Sequence, residues 1–217
     1  AMEGGISAFE LRADNLQFIN RRSSLGSLPC HIAAIGQWIA VANYGSGSVA
    51  VFRRESNGAI GHNTSHVKHE GSGPINERQE CAHAHEVHAV SDSQLLVPDL
   101  GVDRVYHYRL SPLGDLNLEP AITLLQPGSG PRHIVVHPQL PLFYLINELS
   151  NTVAVIDPRD NHHEQTVIST LPDNYRGSNT TAEIRLSEDG RFVYASNRGH
   201  NSIVTMAIDD RGIPREP

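Results

Sequence analysis

The sequence is poor in the features that staple or anchor a chain. Only two of its 217 residues are cysteine, Cys30 and Cys81, so a disulfide framework is excluded. No paired Cys-x-x-Cys supplies a zinc site, and two free thiols in a reducing compartment is the reading adopted. No apolar run approaches the roughly 18 residues that a membrane-spanning helix requires. No block of basic residues occurs and the formal net charge is −7, which argues against a nucleic-acid footprint. The first residues lack a basic segment followed by an apolar one, so no secretory signal is read there and a cytoplasmic location is expected. Aromatic residues are scarce at 6%, whereas 18 glycines and 13 prolines punctuate the chain with turns.

What the sequence does contain is a repeat. An apolar run ending in Asn or Asp, a four-residue connector and a second alternating run occur four times, with the Asn/Asp positions 56, 48 and 50 residues apart. Ile39–Asn43 leads through Tyr44–Gly47 into Ser48–Phe52. Leu95–Asp99 leads through Leu100–Asp103 into Arg104–Tyr108. Phe143–Asn147 leads through Glu148–Asn151 into Thr152–Ile156. Phe192–Asn197 leads through Arg198–Asn201 into Ser202–Met206. β-Branched and aromatic residues fill both arms and turn residues fill the middle, so each unit predicts a β-hairpin. Gly58, Gly114 and Gly212 follow at a constant distance and predict a turn into another strand; the third copy has Pro158-Arg159-Asp160-Asn161 instead. A further strand is predicted before each hairpin, at Cys30–Ala33, His85–His88, Arg132–Val135 and Ala182–Arg185.

Four short antiparallel strands per fifty residues predict an all-β fold, a β-propeller of four-stranded blades. The chain opens inside a blade, at Gly5–Phe9, and ends just after a third strand. The expected division is a leading half blade over 1–28, blades over about 29–80, 81–130 and 131–179, and a partial blade over 180–217. Such an arc has open edges, so the sequence is read as part of a longer propeller; a small closed four-bladed wheel is the rival.

Val41–Val49, His83-Ala84-His85, Val97–Val105, Gly128–His133, Asn147-Glu148-Leu149 and Ser196–Ile203 together resemble the propeller-type 6-phosphogluconolactonase family, in order and over essentially the whole chain. The resemblance implies a seven-bladed propeller of which this chain is the middle three fifths. It implies hydrolysis of 6-phospho-D-glucono-1,5-lactone to 6-phosphogluconate, a pentose-phosphate step, with no metal or cofactor and with a small anionic lactone as the only partner. A related branch forms and opens carboxymuconate lactones, and its proposed His, two Arg and Glu fall here on His85, Arg132, Glu148 and Arg198. His133 and His200 are the expected substrate contacts. A non-catalytic binding propeller is the third reading, and the oligomeric state is left open.

The repeat gives a separate reason for these four residues to meet. His85 and Arg132 begin the first strand of consecutive copies, and Glu148 and Arg198 begin the connector of consecutive copies. Both places lie at one end of an up-and-down blade, so radial repetition brings the four to one mouth. Glu148 or His85 could serve as base, and either arginine could hold phosphate or the oxyanion. The bland alternative is a Glu–Arg ion pair tying adjacent blades together. Cys30 aligns with His85 and Arg132 and reads as a small buried filler. His83, His85 and His88 tempt a metal reading, but on a strand 88 faces away from 83 and 85. Asn43, Asp99, Asn147 and Asn197 recur in every copy and are expected to bond connector amides.

Overall fold

A computed structural model describes residues 3–159 and 164–215. Strands β1 (Gly5–Arg12) and β2 (Asn15–Ser23) form a two-stranded ribbon. Three four-stranded antiparallel sheets follow. The first comprises β3 (Pro29–Ile35), β4 (Trp38–Asn43), β5 (Ser48–Arg54) and β6 (Ile60–Lys68). The second has β7 (His88–Ser91), β8 (Gln94–Asp99), β9 (Arg104–Arg109) and β10 (Ala121–Leu124). The third has β11 (Pro131–Val136), β12 (Phe143–Asn147), β13 (Thr152–Ile156) and β14 (Glu164–Ser169). A last sheet holds β15 (Thr180–Leu186), β16 (Phe192–Arg198) and β17 (Ser202–Ala207). All pairings are antiparallel between chain neighbours, the meander of a propeller blade. Asp160 and Asn161, in the copy that departs from the glycine rule, lie outside the described residues.

The near-continuous apolar runs of the central strands follow from burial on both faces. In β5, Val49 and Val51 pack with Trp38, Val97, Tyr106 and Tyr108 of the second sheet's side, while Ala50 and Phe52 pack with Ile6 of the leading ribbon. In β12, Phe143 and Leu145 join Leu96 and Val105, whereas Tyr144 and Ile146 join Ile184, Val193 and Met206. The period-two alternation of a strand thus feeds two inter-blade cores at once.

The connector geometry repeats. Its last residue is Gly47, Asp103, Asn151 or Asn201, with φ of 57°, 53°, 60° and 54°. These are the residue types that tolerate the left-handed region. Gly58, Gly114 and Gly212 also have positive φ, and each donates its N–H to the carbonyl three residues earlier, in the turns the sequence predicts.

Two expectations are corrected. The strand predicted from His85 does not begin there. Ala84 makes one bridge to Asp99 and the His85 N–H bonds the Pro98 carbonyl at 2.9 Å, but residues 85–87 form no regular strand and β7 starts at His88. The reason is Glu86, whose carboxylate crosses to the next blade and accepts the Ile134 N–H at 2.6 Å. The recurrent Asn residues do not bond connector amides. The amide of Asn43 donates to the Ser24 carbonyl and to Ser48 Oγ, that of Asn147 to Thr152 Oγ1, and that of Asn197 to the Thr170 carbonyl and Ser202 Oγ. They span the connector to its far side and, in two blades, reach a preceding loop.

Asp99 alone takes the expected amide, from Gly101 at 3.0 Å, together with the His83 N–H at 2.7 Å and His69 Nδ1 at 2.6 Å, all within the interior. Removing this buried acceptor strands three donors. Asp99→Ala is expected to lower unfolding free energy by about 3 kcal/mol in urea titrations; a loss under about 0.5 kcal/mol, the scale of an ordinary surface change, contradicts the assignment.

Candidate active site

The first strand of each blade carries an irregularity at one equivalent place. Register shifts fall between Pro29 and His31, between Pro131 and His133, and between Thr181 and Ile184, and the second blade has its break at 85–87. A bulge turns a residue that would belong to the sheet toward the rim. Cys30, His85 and Arg132 are thereby delivered to one mouth. The connectors, which begin at Tyr44, Glu148 and Arg198 in their blades, open on the same end. A cavity of about 440 Å³ is lined by Cys30, Tyr44, Arg78, His85, Arg132, Glu148 and Arg198, with Leu28 and Pro29. The four residues predicted from the repeat therefore share one cavity. A larger hollow of about 640 Å³ lies at the opposite end of the second and third sheets, lined mainly by apolar groups such as Leu96, Val136 and Phe143.

Glu148 is the centre of the mouth. Its side chain is 5% exposed, and three guanidiniums bind it. Arg78 Nη2 donates to Oε1 at 2.6 Å, Arg132 Nε to Oε2 at 3.0 Å, and Arg198 Nη2 lies 2.9 Å from Oε2. Burial pushes the Glu148 carboxyl up, but Arg78, Arg198 and Arg132 together outweigh it, and it stays below the usual carboxylate range. The backbone around it is pinned by Glu148 N–H to the Gly130 carbonyl and by the Thr181 N–H to the Glu148 carbonyl. Arg132 and Arg198 are each held a second time, by the carbonyls of Ala182 at 2.6 Å and Thr181 at 2.8 Å.

His85 presents a buried Nδ1 with no partner among the described residues. Burial first, then Arg132 and His133, lowers its pKa to about 3, so the imidazole is neutral at pH 7. Cys30 is exposed rather than the buried filler expected; its thiol points at the His85 carbonyl, 3.1 Å away, and desolvation of the sulfur raises its pKa to about 11, which leaves it protonated.

Arg78 is the functional residue that sequence reasoning missed. It lies in the long segment between β6 and β7, outside the repeat. Its neighbour Gln79 is fully buried and anchors that segment, donating to the Leu100 carbonyl and to Asp103 Oδ1, both at 2.8 Å. Asp103 in turn accepts the Gly128 and Gly130 amides, fixing the loop that leads into Arg132. Tyr44 was also missed, although the repeat contains the signal: it occupies the same connector place as Glu148 and Arg198.

His133 and His200, the expected substrate contacts, do not line this cavity. His133 lies behind Arg132 and binds Glu183 Oε2 through Nδ1 at 2.8 Å. His200 Nδ1 is 2.7 Å from Ser202 Oγ, and its ring lies edge-on to Tyr175. His83, His85 and His88 also separate. His83 Nδ1 bonds the Tyr44 carbonyl, His85 faces the mouth, and His88 pairs with Glu86.

The comparisons with known proteins can be set beside this geometry. A family model described as lactonase, 7-bladed beta-propeller, matches residues 1–215. The chain belongs to this lactonase family. A Bacillus subtilis relative named 6-phosphogluconolactonase is 35% identical over 215 residues, 95% of this chain and 61% of the relative. A solved structure from Lactobacillus plantarum superposes with a TM-score of 0.91 at 33% identity, covering 98% of this chain and 63% of that one. The periplasmic gluconolactonase PpgL of Pseudomonas aeruginosa gives 0.89 at 29% identity, with 99% and 63% covered. The chain thus spans a little over three fifths of the length of these proteins. The described sheets correspond to part of the seven-bladed propeller for which this family is named. No helix among the described residues is long and apolar enough to cross a membrane.

The surroundings of His133 set a pH dependence. Glu86, Glu183, Arg132, Arg185, His31 and His85 face it, and burial, the largest influence, lowers its pKa to about 4. A lowered histidine pKa stabilises the fold fully above the unfolded value of about 6.5, and that stability is lost as pH falls toward 4. Urea unfolding free energy is expected to drop by up to about 3 kcal/mol between pH 7 and 4.5 on this account, with a smaller drop in His133→Gln. Equal drops in the two proteins would assign the pH dependence to other groups.

Proposed function

We propose that the chain carries the lactone-opening site of a 6-phosphogluconolactonase, a hydrolase acting on 6-phospho-D-glucono-1,5-lactone. The observation that carries this reading is the charge at the mouth. Three guanidiniums face one carboxylate beside neutral imidazoles, an excess of two positive charges in a chain whose formal net charge is −7. A phosphate monoester dianion matches that excess, and arginine forks suit its oxygens. The local field at the mouth therefore overrides the overall sign.

The chemistry needs little beyond placement. Water adds to the lactone carbonyl carbon, the bond from that carbon to the ring oxygen breaks, and the ring oxygen leaves as a hydroxyl. His85 takes the proton from water and returns it to the ring oxygen. It is favoured over Glu148 as base because its ring lines the cavity without an ion-pair partner among the described residues, whereas both Glu148 oxygens are occupied by arginine. Burial and Arg132 depress its basicity in the free site, and the negative charge developing on the lactone oxygen beside Arg132 offsets the second of these. Arg132, the more buried of the two guanidiniums, is assigned to the developing oxyanion. Arg198, half-exposed at the rim, is assigned to the phosphate. Glu148 keeps the three arginines in register. A reducing, cytoplasmic setting suits the two free thiols.

A second reading, hydrolysis of an unphosphorylated sugar lactone, is favoured by the likeness to the Pseudomonas gluconolactonase. The two separate in one experiment, acid release from 6-phosphogluconolactone and from gluconolactone by the purified protein. Acceleration over buffer is expected for the phosphorylated lactone. Arg198→Ala should raise its KM by roughly tenfold or more, the scale of a lost charge-assisted contact, while leaving gluconolactone nearly unaffected. Glu148→Gln should lower kcat by about 100-fold through loss of arginine placement. A rate no faster than buffer refutes the lactonase assignment, and equal use of both lactones establishes the second reading. Carboxymuconate lactone belongs in the same panel, and a preference for it moves the chain to the cyclase branch.

A further inference from the structure

Beside the mouth, but outside its cavity, Glu80, Cys81 and His83 converge. Their ligand atoms all lie within 4.8 Å of one another, and no other group of His, Cys, Asp or Glu among the described residues does so. Glu80 Oε1 is 3.3 Å and Cys81 Sγ 3.9 Å from His83 Nε2. In a tetrahedral zinc site with ordinary bond lengths the corresponding edges are about 3.3 Å and about 3.6 Å. The two edges that meet at His83 are therefore within a few tenths of an ångström of those in a ligand set.

The tautomer of His83 makes the arrangement specific. Its Nδ1 lies 2.9 Å from the Tyr44 carbonyl, which can only accept, so Nδ1 carries the proton. In a neutral imidazole, Nε2 then presents a lone pair to a carboxylate oxygen and a sulfur. A cation placed between them would take the place of the thiol proton and bind all three atoms at once. A backbone carbonyl on the second ring nitrogen is the support that metal-bound histidines ordinarily have. The ring is further fixed by stacking on Tyr44, with centroids 4.4 Å apart and planes at 12°. The backbone is held as well, since the His83 N–H donates to Asp99 and Gly101 packs directly on the Cys81 carbonyl. His83 is buried, whereas Glu80 and Cys81 are exposed, leaving the remaining coordination position to solvent.

We propose that Glu80, Cys81 and His83 form a binding site for a borderline-soft divalent cation of the zinc class. On binding, the Cys81 S–H bond breaks, its proton passes to solvent, and a sulfur–metal bond forms; no electron is transferred. Thiolate, imidazole and carboxylate together select zinc or cobalt over magnesium or calcium. The proposal is independent of the lactonase reading, because none of the three residues lines the catalytic cavity.

Cobalt(II) titration of the reduced whole protein tests it. One equivalent is expected, with a thiolate-to-cobalt charge-transfer band that Zn²⁺ abolishes by displacement. Cys81→Ser should remove the band, and His83→Gln should weaken binding by roughly tenfold or more. The native sheet spectrum of each variant, followed by circular dichroism, separates loss of the site from loss of fold. Absence of a band, or a band that survives Cys81→Ser and so arises from Cys30, overturns the proposal. Weak binding without sulfur character overturns it equally.

Discussion

The organisation of the mouth depends on one buried carboxylate and the guanidiniums it gathers. Glu148 takes Arg132 from its own blade, Arg198 from the next, and Arg78 from the loop that precedes the second sheet's first strand. A carboxylate removed from water is costly unless its lone pairs are filled, and here three charge-assisted contacts fill them. The arginines are in turn held apart from one another by the same anion and by the Thr181 and Ala182 carbonyls. The ion-pair tie between blades and the functional site are thus one object. Cross-blade pairing supplies the rigidity, and the unneutralised charge is what the proposed function assigns to recognition.

The scaffold that permits this is simple. Each of the three four-stranded sheets is buried on both faces, so its position relative to its neighbours is set by two apolar cores rather than by loops. Polar chemistry is confined to the ends of the strands, where bulges and connectors break the ladders. The bulges matter most. Without the break after Pro131, Arg132 would alternate with its neighbours across the sheet instead of turning into the mouth. The same irregularity recurs in all four first strands, although only His85 and Arg132 use it to present an imidazole or guanidinium to the mouth.

A long inter-blade segment completes the site. Gln79 and Asp103 form a buried polar hub that fixes both Arg78 and the glycine loop leading to Arg132. Placing Arg78 on a loop rather than on a repeat position allows one blade interface to differ from the others. An asymmetric charge cluster can then arise within a wheel of similar parts.

Much of this was legible in the sequence because a propeller repeats its physics. Period-two apolar runs, turn residues at constant spacing and the Asn/Asp before each connector identified the blades, and equivalence of position brought His85, Arg132, Glu148 and Arg198 together. What repetition could not convey was whatever departs from it. Arg78 sits in the loop between blades. The ladder breaks at residues 85–87 because Glu86 bonds the neighbouring blade, and His133 and His200 turn to Glu183 and Ser202 rather than to the mouth. The sequence determined the strands and the end of the wheel at which chemistry gathers, since both follow from local periodicity. The tertiary structure decided which side chains meet there, because contacts between blades depend on bulges, rotamers and loop paths that no local pattern encodes.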